Sequence, residues 1–336
     1  MLKNGILTLS IAKKIPLYLF FELTRRCNLD CVHCYIARKK RKELSTREIK
    51  EILNQLAEAN SLIINFSGGE VFQRPDFLEI AHHAKKNKFA IKIFTNGTLI
   101  DPKMAKEIAV LSPLRVEITI YSTGSEIHDR ITRVPGSLKL SLKALKELAK
   151  NRVPLRIKCP LMKYNVRDYK AVIDLAKSLN CQYQIDPTIF PKTDGSGQPI
   201  RLRINDEDLK NVLTDPSLQD DRPRNGGIEA PCSAGHNSCA ISSYGDVYPC
   251  IMIPVAMGSL RRESFKNIWH NCNRLEKFRN IRRNDLKECK GCKISFSCTR
   301  CPGLAYLEDR NLLGPSKRAC QIAKIKDDSC PRGSET

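Results

Sequence analysis

Leu17-Tyr18-Leu19-Phe20-Phe21 reads as an apolar strand, and Arg25-Arg26-Cys27-Asn28-Leu29-Asp30-Cys31-Val32-His33-Cys34-Tyr35 follows it within a few residues. The three cysteines are spaced C-x3-C-x2-C. Three thiolates on one short loop can ligate three irons of a cubane cluster and leave the fourth iron without a protein ligand. An open iron is a place for a small molecule to bind, as a catalytic zinc keeps one position for water. Zinc is the competing reading. Zinc loops, however, pair C-x2-C with a second C-x2-C or an H-x3-H, and neither lies nearby. The spacing favours iron–sulfur.

Outward from this loop, residues 17–190 alternate strand and helix patterns. Strand-like runs fall at 17–23, 62–66, 90–94, 114–120, 155–161 and 181–185, with helical periodicity at 45–59, 75–87, 101–110, 136–151 and 166–179. Ser45 with Glu48 three residues on forms a capping box, and Pro75 and Pro102 suit first-turn positions. Regular alternation implies an α/β fold with a parallel sheet and helical crossovers. Six units are too few for a closed eightfold barrel, so a partial (β/α)6 TIM-like barrel is expected. Its site would lie at the C-terminal strand ends, where the cysteine loop sits.

The expected divisions are an N-terminal extension (1–16), the barrel (17–200), a linker (201–231) and a cysteine-rich, loop-dominated cluster-binding domain (232–336). Within the linker a short helix is expected at 206–213 behind Asn205, and residues 220–227 are turn-rich. A helical stretch is expected near 265–283.

The chain has 336 residues, 41% of them apolar, with no apolar run approaching the length of a membrane span. The N-terminus lacks a continuous apolar core and a small-residue cleavage site, so no secretory signal is read and a cytoplasmic location is expected. Fifteen cysteines in a chain of this size point to metal rather than disulfides. The formal charge of +21 is spread over Lys39-Lys40-Arg41-Lys42, Lys85-Lys86, Arg261-Arg262 and Arg282-Arg283, with no basic stripe interleaved with aromatics. Solvated helix faces explain most of it, then attraction of an acidic peptide or an electron donor; nucleic acid ranks last.

The cysteine loop, the Tyr35 behind it and Ser67-Gly68-Gly69-Glu70 after the second strand resemble the radical S-adenosylmethionine (SAM) family over residues 17–190. The resemblance implies a [4Fe–4S] cluster held by Cys27, Cys31 and Cys34. Its open iron would chelate the methionine end of SAM, and a 5′-deoxyadenosyl radical would take hydrogen from substrate. Gly68 and Gly69 would let backbone approach SAM, and Glu70 would suit its ammonium group. Tyr35 would pack near the adenine. Asn96 and Ser122 would face the same mouth, and Arg133 could pair with the SAM carboxylate. No catalytic acid or base is assigned.

A second resemblance covers the C-terminal cysteines. Cys232-x12-Gly245-x4-Cys250, then Cys289-x2-Cys292-x5-Cys298-x2-Cys301 and Cys320, resemble the SPASM extension of radical SAM enzymes, which carries two auxiliary [4Fe–4S] clusters. The last pair is x2 where the family has x3. The family's interleaved wiring implies one cluster on Cys232, Cys239, Cys250 and Cys301, and another on Cys289, Cys292, Cys298 and Cys320. If Cys239 is not a ligand, the first of these has an open iron. Zinc in the C-x2-C-x5-C-x2-C segment is the alternative. With all three clusters the net charge falls to about +16. Cys159, Cys181, Cys272 and Cys330 lack partner spacing, and solvation is the default for all the histidines.

The resemblance leaves several reactions open. Oxidation or cross-linking of a ribosomally made peptide ranks first. Sulfatase maturation loses ground because Ile251 follows Cys250, where that group places an aspartate. Tetrapyrrole side-chain modification in haem biosynthesis is a further alternative. An iron–sulfur electron carrier without chemistry of its own conflicts with the Gly-Gly-Glu motif. The expected partners are a peptide substrate, a separate leader-binding protein and a flavodoxin- or ferredoxin-type electron donor. Substrate identity, the bond made and oligomeric state are not readable from residues alone.

Overall fold

Six parallel strands carry the first part of the chain: β1 (Tyr18–Thr24), β2 (Ile63–Gly68), β3 (Ala90–Thr95), β4 (Arg115–Thr119), β5 (Leu155–Pro160) and β6 (Gln182–Asp186). They lie side by side in chain order, every neighbouring pair parallel. This is the partial barrel that the alternation predicts. The computed structural model describes residues 2–37, 41–218 and 232–329. Lys39 and Lys40 of the basic run, residues 220–227 of the expected linker and Cys330 lie outside the described residues.

Helices α1 (Leu2–Ala12), α2 (Thr46–Glu58), α3 (Phe77–Lys86), α4 (Pro102–Leu111), α5 (Ser125–Thr132), α6 (Ser137–Lys150) and α7 (Tyr169–Ser178) precede or connect the strands. On α2 the apolar positions Ile49, Ile52, Leu53 and Leu56 recur at helical spacing and are all buried. Its start is the expected capping box: Ser45 Oγ accepts from Glu48 N at 3.3 Å, and Glu48 Oε2 accepts from Ser45 N at 2.7 Å. Pro102 opens α4, as expected. Pro75 does not open α3, because Asp76 takes the cap position and the helix begins at Phe77. The N-terminal extension folds as α1, tied to the far end of the chain through Trp269 Nε1, which donates to the Lys14 carbonyl at 2.5 Å.

Alternate strand residues divide the sheet into two faces. Leu19, Phe21, Ile64, Phe66, Ile91, Ile93, Val116, Ile118 and Ile157 are fully buried in the main apolar core. The intervening residues Phe20, Phe94, Glu117, Thr119, Lys158 and Asp186 line a cavity instead.

The cysteine-rich segment enters the same sheet. Strand β7 (Ser238–Ile241) pairs parallel with β1 on its free edge, and β8 (Asp246–Tyr248) and β9 (Gly258–Ser259) follow antiparallel. The full order is β6-β5-β4-β3-β2-β1-β7-β8-β9. Helix α8 (Asp206–Thr214) precedes β7, and α9 (Phe265–Asn271), α10 (Asn273–Arg279), α11 (Pro302–Asp309) and α12 (Lys317–Ser329) complete the chain. Between α10 and α11 lie only turns and short 3-10 segments. Among the described residues no helix is long and apolar enough to cross a membrane.

Candidate active site

The C-terminal ends of the barrel strands open into a cavity of about 760 Å3, lined by the cysteine loop, Ser67, Gly68, Gly69, Asn96, Tyr121 and the loop after β6. The pairing of β1 with β2 slips by one residue between Glu22 and Thr24, which bends β1 just before the cysteines. Two backbone bonds then tie the loop to the end of β2: Gly69 N donates to Thr24 O and Glu70 N to Arg26 O, both at 2.8 Å. Gly68 has φ +136°, and a methyl group there would overlap the Thr24 carbonyl; at Gly69 it would overlap that of Arg26. The glycine pair is therefore required first by the close approach of the loop's own backbone.

Cys27, Cys31 and Cys34 all line the cavity. Cys27 Sγ accepts from Leu29 N at 3.4 Å and from Asn96 Nδ2 at 3.9 Å. Cys31 Sγ accepts from Tyr121 Oη at 3.6 Å. Burial, with the Glu70 carboxylate and Cys34 nearby, raises the Cys27 thiol, and burial pushes Cys31 up to about 12. Without a metal the Cys27 and Cys31 sulfurs stay protonated at neutral pH; iron would displace their protons. Three soft sulfurs from one loop, converging on one cavity, fit an iron–sulfur cluster.

Glu70 lies elsewhere than expected. Its carboxylate is fully buried and accepts from Thr95 Oγ1 at 2.7 Å, Asn96 N at 2.7 Å and Phe72 N at 3.2 Å. It does not line the cavity; it fastens the end of β3 to that of β2. Burial raises its pKa against the pull of these donors. Asn96, held by this bond, does line the cavity, and its amide donates to Asn28 Oδ1 at 3.0 Å. Tyr35 lines it as well, its phenol raised by burial and by Glu22 and Cys34. Arg133 lies at the cavity edge, paired with Asp30 at 3.1 Å. Ser122 is turned away: buried, it donates to Asp168 Oδ2 at 2.6 Å and accepts from Gly124 N at 2.9 Å.

Several cavity residues carry no sequence signal of their own. His33 and His128 depart from the solvated default. His33 Nε2 lies 2.8 Å from Tyr121 Oη, and His128 Nδ1 accepts from Tyr121 N at 3.3 Å. Burial lowers both rings to about 4, so both are neutral at pH 7. The position of His33 between Cys31 and Cys34 was a usable hint; Tyr121 offered none. Deeper in the barrel, Lys158 Nζ lies 2.9 Å from Glu117 Oε2 and 3.6 Å from the centroid of the Phe94 ring.

The C-terminal cysteines fall into two neighbourhoods. Cys232 feels the charge of Cys250 and Cys301, and Cys239 that of Arg279 and Cys250. Cys298 feels the charge of Cys320, Cys289 and Cys292, and Cys320 that of Cys289 and Cys292. Burial pushes Cys232 up to about 11 and raises Cys239 further. Ile251 and Met252, directly after Cys250, line the barrel cavity.

Compared with known proteins, residues 21–176 match the radical SAM superfamily, and residues 232–293 match SPASM, an iron–sulfur cluster-binding domain. The AdoMet-dependent heme synthase of Methanosarcina barkeri is 28% identical over 332 residues, covering 87% of this chain and 92% of that protein. Mycofactocin maturase MftC of Mycobacterium tuberculosis is 29% identical over 331 residues, covering 91% and 83%. Streptococcus suis SuiB bound to precursor peptide SuiA shares the fold, with a TM-score of 0.73 over 95% of this chain and 80% of that one at 16% identity. A [4Fe–4S] cluster with SAM, and auxiliary iron–sulfur clusters, are the cofactors that go with these two domains. The chain belongs to the radical SAM superfamily and is a radical SAM enzyme with a C-terminal SPASM domain.

Proposed function

We propose that this enzyme takes a hydrogen atom from a ribosomally made peptide and so oxidises or cross-links it. The supporting observation is that Ile251 and Met252 of the SPASM segment share a cavity with Cys27, Cys31 and Cys34. At about 760 Å3 it stands in the upper part of the range for sites that hold a drug-sized ligand. The mycofactocin maturase relative, matched over most of both chains, agrees with a peptide substrate.

A bound cluster with SAM would supply one-electron reductive cleavage of the sulfonium, the source of the hydrogen-abstracting power. Cys27, Cys31 and Cys34 are assigned as the ligands of the cluster. Gly68 and Gly69 offer backbone to SAM, Asn96 its amide, Tyr35 its ring and Arg133 its charge to the carboxylate. Glu70 acts through Asn96, which it holds by the backbone. Ser122 acts through the turn at Gly124. Cys232, Cys239, Cys250 and Cys301 are assigned to one auxiliary cluster, and Cys289, Cys292, Cys298 and Cys320 to the other. The divisions 17–200, 201–231 and 232–336, a cytoplasmic location and a separate leader-binding protein belong to the same proposal.

A second reading, tetrapyrrole side-chain modification, is favoured by the full-length similarity to AdoMet-dependent heme synthase. One experiment separates the two. The reduced, reconstituted enzyme is given SAM with either a deuterated precursor peptide from a neighbouring gene or a deuterated iron porphyrin. Deuterium in 5′-deoxyadenosine with the peptide alone supports the proposal; deuterium with the porphyrin alone overturns it. Cys34→Ala is expected to abolish SAM cleavage while both auxiliary clusters remain.

A further inference from the structure

The spacing Cys298-x2-Cys301 leaves only Thr299 and Arg300 between a sulfur assigned to one auxiliary set and a sulfur assigned to the other. Arg300 belongs to both neighbourhoods. Burial and Cys320 raise the Cys298 thiol, and the backbone N–H of Arg300 pulls the other way. The side chain reaches the first set, where Cys232 and Arg300 line one small hollow walled by Phe278, Ile281 and Leu312. Its charge eases Cys232, Cys301 and Cys320 toward the thiolate, against the burial that raises all three.

Two carbonyls fix the guanidinium. Arg300 Nε donates to Gly314 O at 3.0 Å, and Nη2 donates to Leu312 O at 2.5 Å and to Gly314 O at 2.6 Å. Among the described residues Nη1 is buried without a hydrogen-bond partner, and no carboxylate pairs with Arg300. His236 lines the same hollow without accepting from it. Arginine keeps its charge, so a cation with one N–H to spare is held beside the Cys232 sulfur. Metal-bound thiolates are the anions that Cys232 and Cys301 would provide. We propose that Arg300 donates Nη1 to a sulfur of the iron–sulfur group on Cys232 and Cys301 and so raises its reduction potential, fitting that cluster to accept an electron. A hydrogen bond and a positive charge both favour the reduced, more negative state. Arg300 acts here through the cluster, not on substrate. The proposal rests on the assignment of Cys232, Cys239, Cys250 and Cys301 to a cluster.

The test is a redox titration of the reconstituted full chain, followed by electron paramagnetic resonance. It is run in the Cys34→Ala background, where only the auxiliary clusters are expected to signal. Arg300→Met should shift one auxiliary midpoint to more negative values with iron content unchanged. Arg300→Lys, which keeps the charge without the planar fork, should shift it less. Lys103→Met on α4 removes an exposed charge elsewhere and should move neither midpoint. If Arg300→Met loses iron, Arg300→Gln, whose amide can still donate to a carbonyl, carries the measurement. Unchanged midpoints at full iron content overturn the proposal. So does a shift in Arg300→Lys as large as that in Arg300→Met, since charge would not be what acts. Iron lost from both neutral variants would make Arg300 a folding residue and overturns it as well. Iron in the unsubstituted chain reads the underlying assignment separately: about four atoms instead of about twelve would mean that no C-terminal sulfur holds a cluster, and the proposal falls with it.

Discussion

The phenol of Tyr121 donates to Cys31 Sγ at 3.6 Å while lying 2.8 Å from Nε2 of His33, on the same cysteine loop. The ring of His33 is neutral, since burial lowers its pKa to about 4. With its proton on Nε2, His33 donates to the phenol oxygen and leaves the phenol proton directed at the sulfur. Hydrogen bonds to ligand sulfurs stabilise the more negative, reduced state of a cluster. Tyr121→Phe keeps the ring packing and removes this donor. It should move the midpoint potential of the barrel cluster to more negative values, read by a spectroscopic redox titration, and slow SAM cleavage under a fixed reductant. An unchanged potential would mean that Tyr121 only fills space.

Glu70 is buried with three donors on its carboxylate, so Glu70→Gln turns an amide N–H toward groups that also donate. The cost is that of an unsatisfied buried pair, about 1–3 kcal/mol. The variant's Tm should fall by several degrees in the cluster-free protein. A carboxylate that met SAM directly would behave otherwise: SAM affinity would drop and the Tm of the cluster-free protein would stay.

The same residues show how far the sequence reaches. The parallel order of β1–β6 follows from alternation alone, because each helix between strands carries one apolar stripe, as α2 does. The loop cysteines were legible because their spacing is local. The bonds of Glu70 to Thr95 and Asn96 were not legible, because a motif gives residue order but not the direction of a side chain. Its neighbour Gly69 has no room for a Cβ, and the clash is with Arg26, far away in sequence. Tyr121 and His128 reach the cavity through the turn after β4 and the short α5, whose eight residues are too few to show a helical period. That β7 extends the barrel sheet beyond β1 is a long-range pairing with no local signature.

Glu48 caps α2 and also accepts from Arg261 Nε at 2.9 Å, joining the barrel to the turn after β9. Partial burial raises its pKa, but Ser45 and Arg261 outweigh that and bring it to about 2, from 4.5. A carboxylate with a lowered folded pKa stabilises above its unfolded value and loses that contribution as pH falls toward the folded one. Glu48→Gln should therefore cost about 1 kcal/mol at pH 6. The gap in Tm between variant and wild type should narrow steadily from pH 4.5 toward pH 3. A gap independent of pH would show that the charge is not what holds this corner.

Cys239 and Cys159 are both buried thiols on strands, and they are expected to behave oppositely. Cys159 Sγ accepts from Asn165 Nδ2 and donates to Tyr121 O, both at 3.6 Å, which satisfies it as a core residue. Cys239, opposite Leu19 on β7, stands near Cys250 and Arg279. Arg279 is buried, donates to Gly235 O and Trp269 O at 2.6 and 2.8 Å, and keeps an Nη2 without a hydrogen-bond partner among the described residues. Glu276 pairs with Nη1 at 3.5 Å, so it is the Nη2 N–H that is costly to bury without an acceptor, and a Cys239 thiolate bound to iron would supply one. Cys239→Ala should lower the iron content by about four of some twelve atoms per chain, measured after anaerobic reconstitution. Cys159→Ala should leave it unchanged. If Cys239→Ala keeps its full iron, the sulfur is a packing group, and the first auxiliary cluster has three protein ligands and an iron open to substrate.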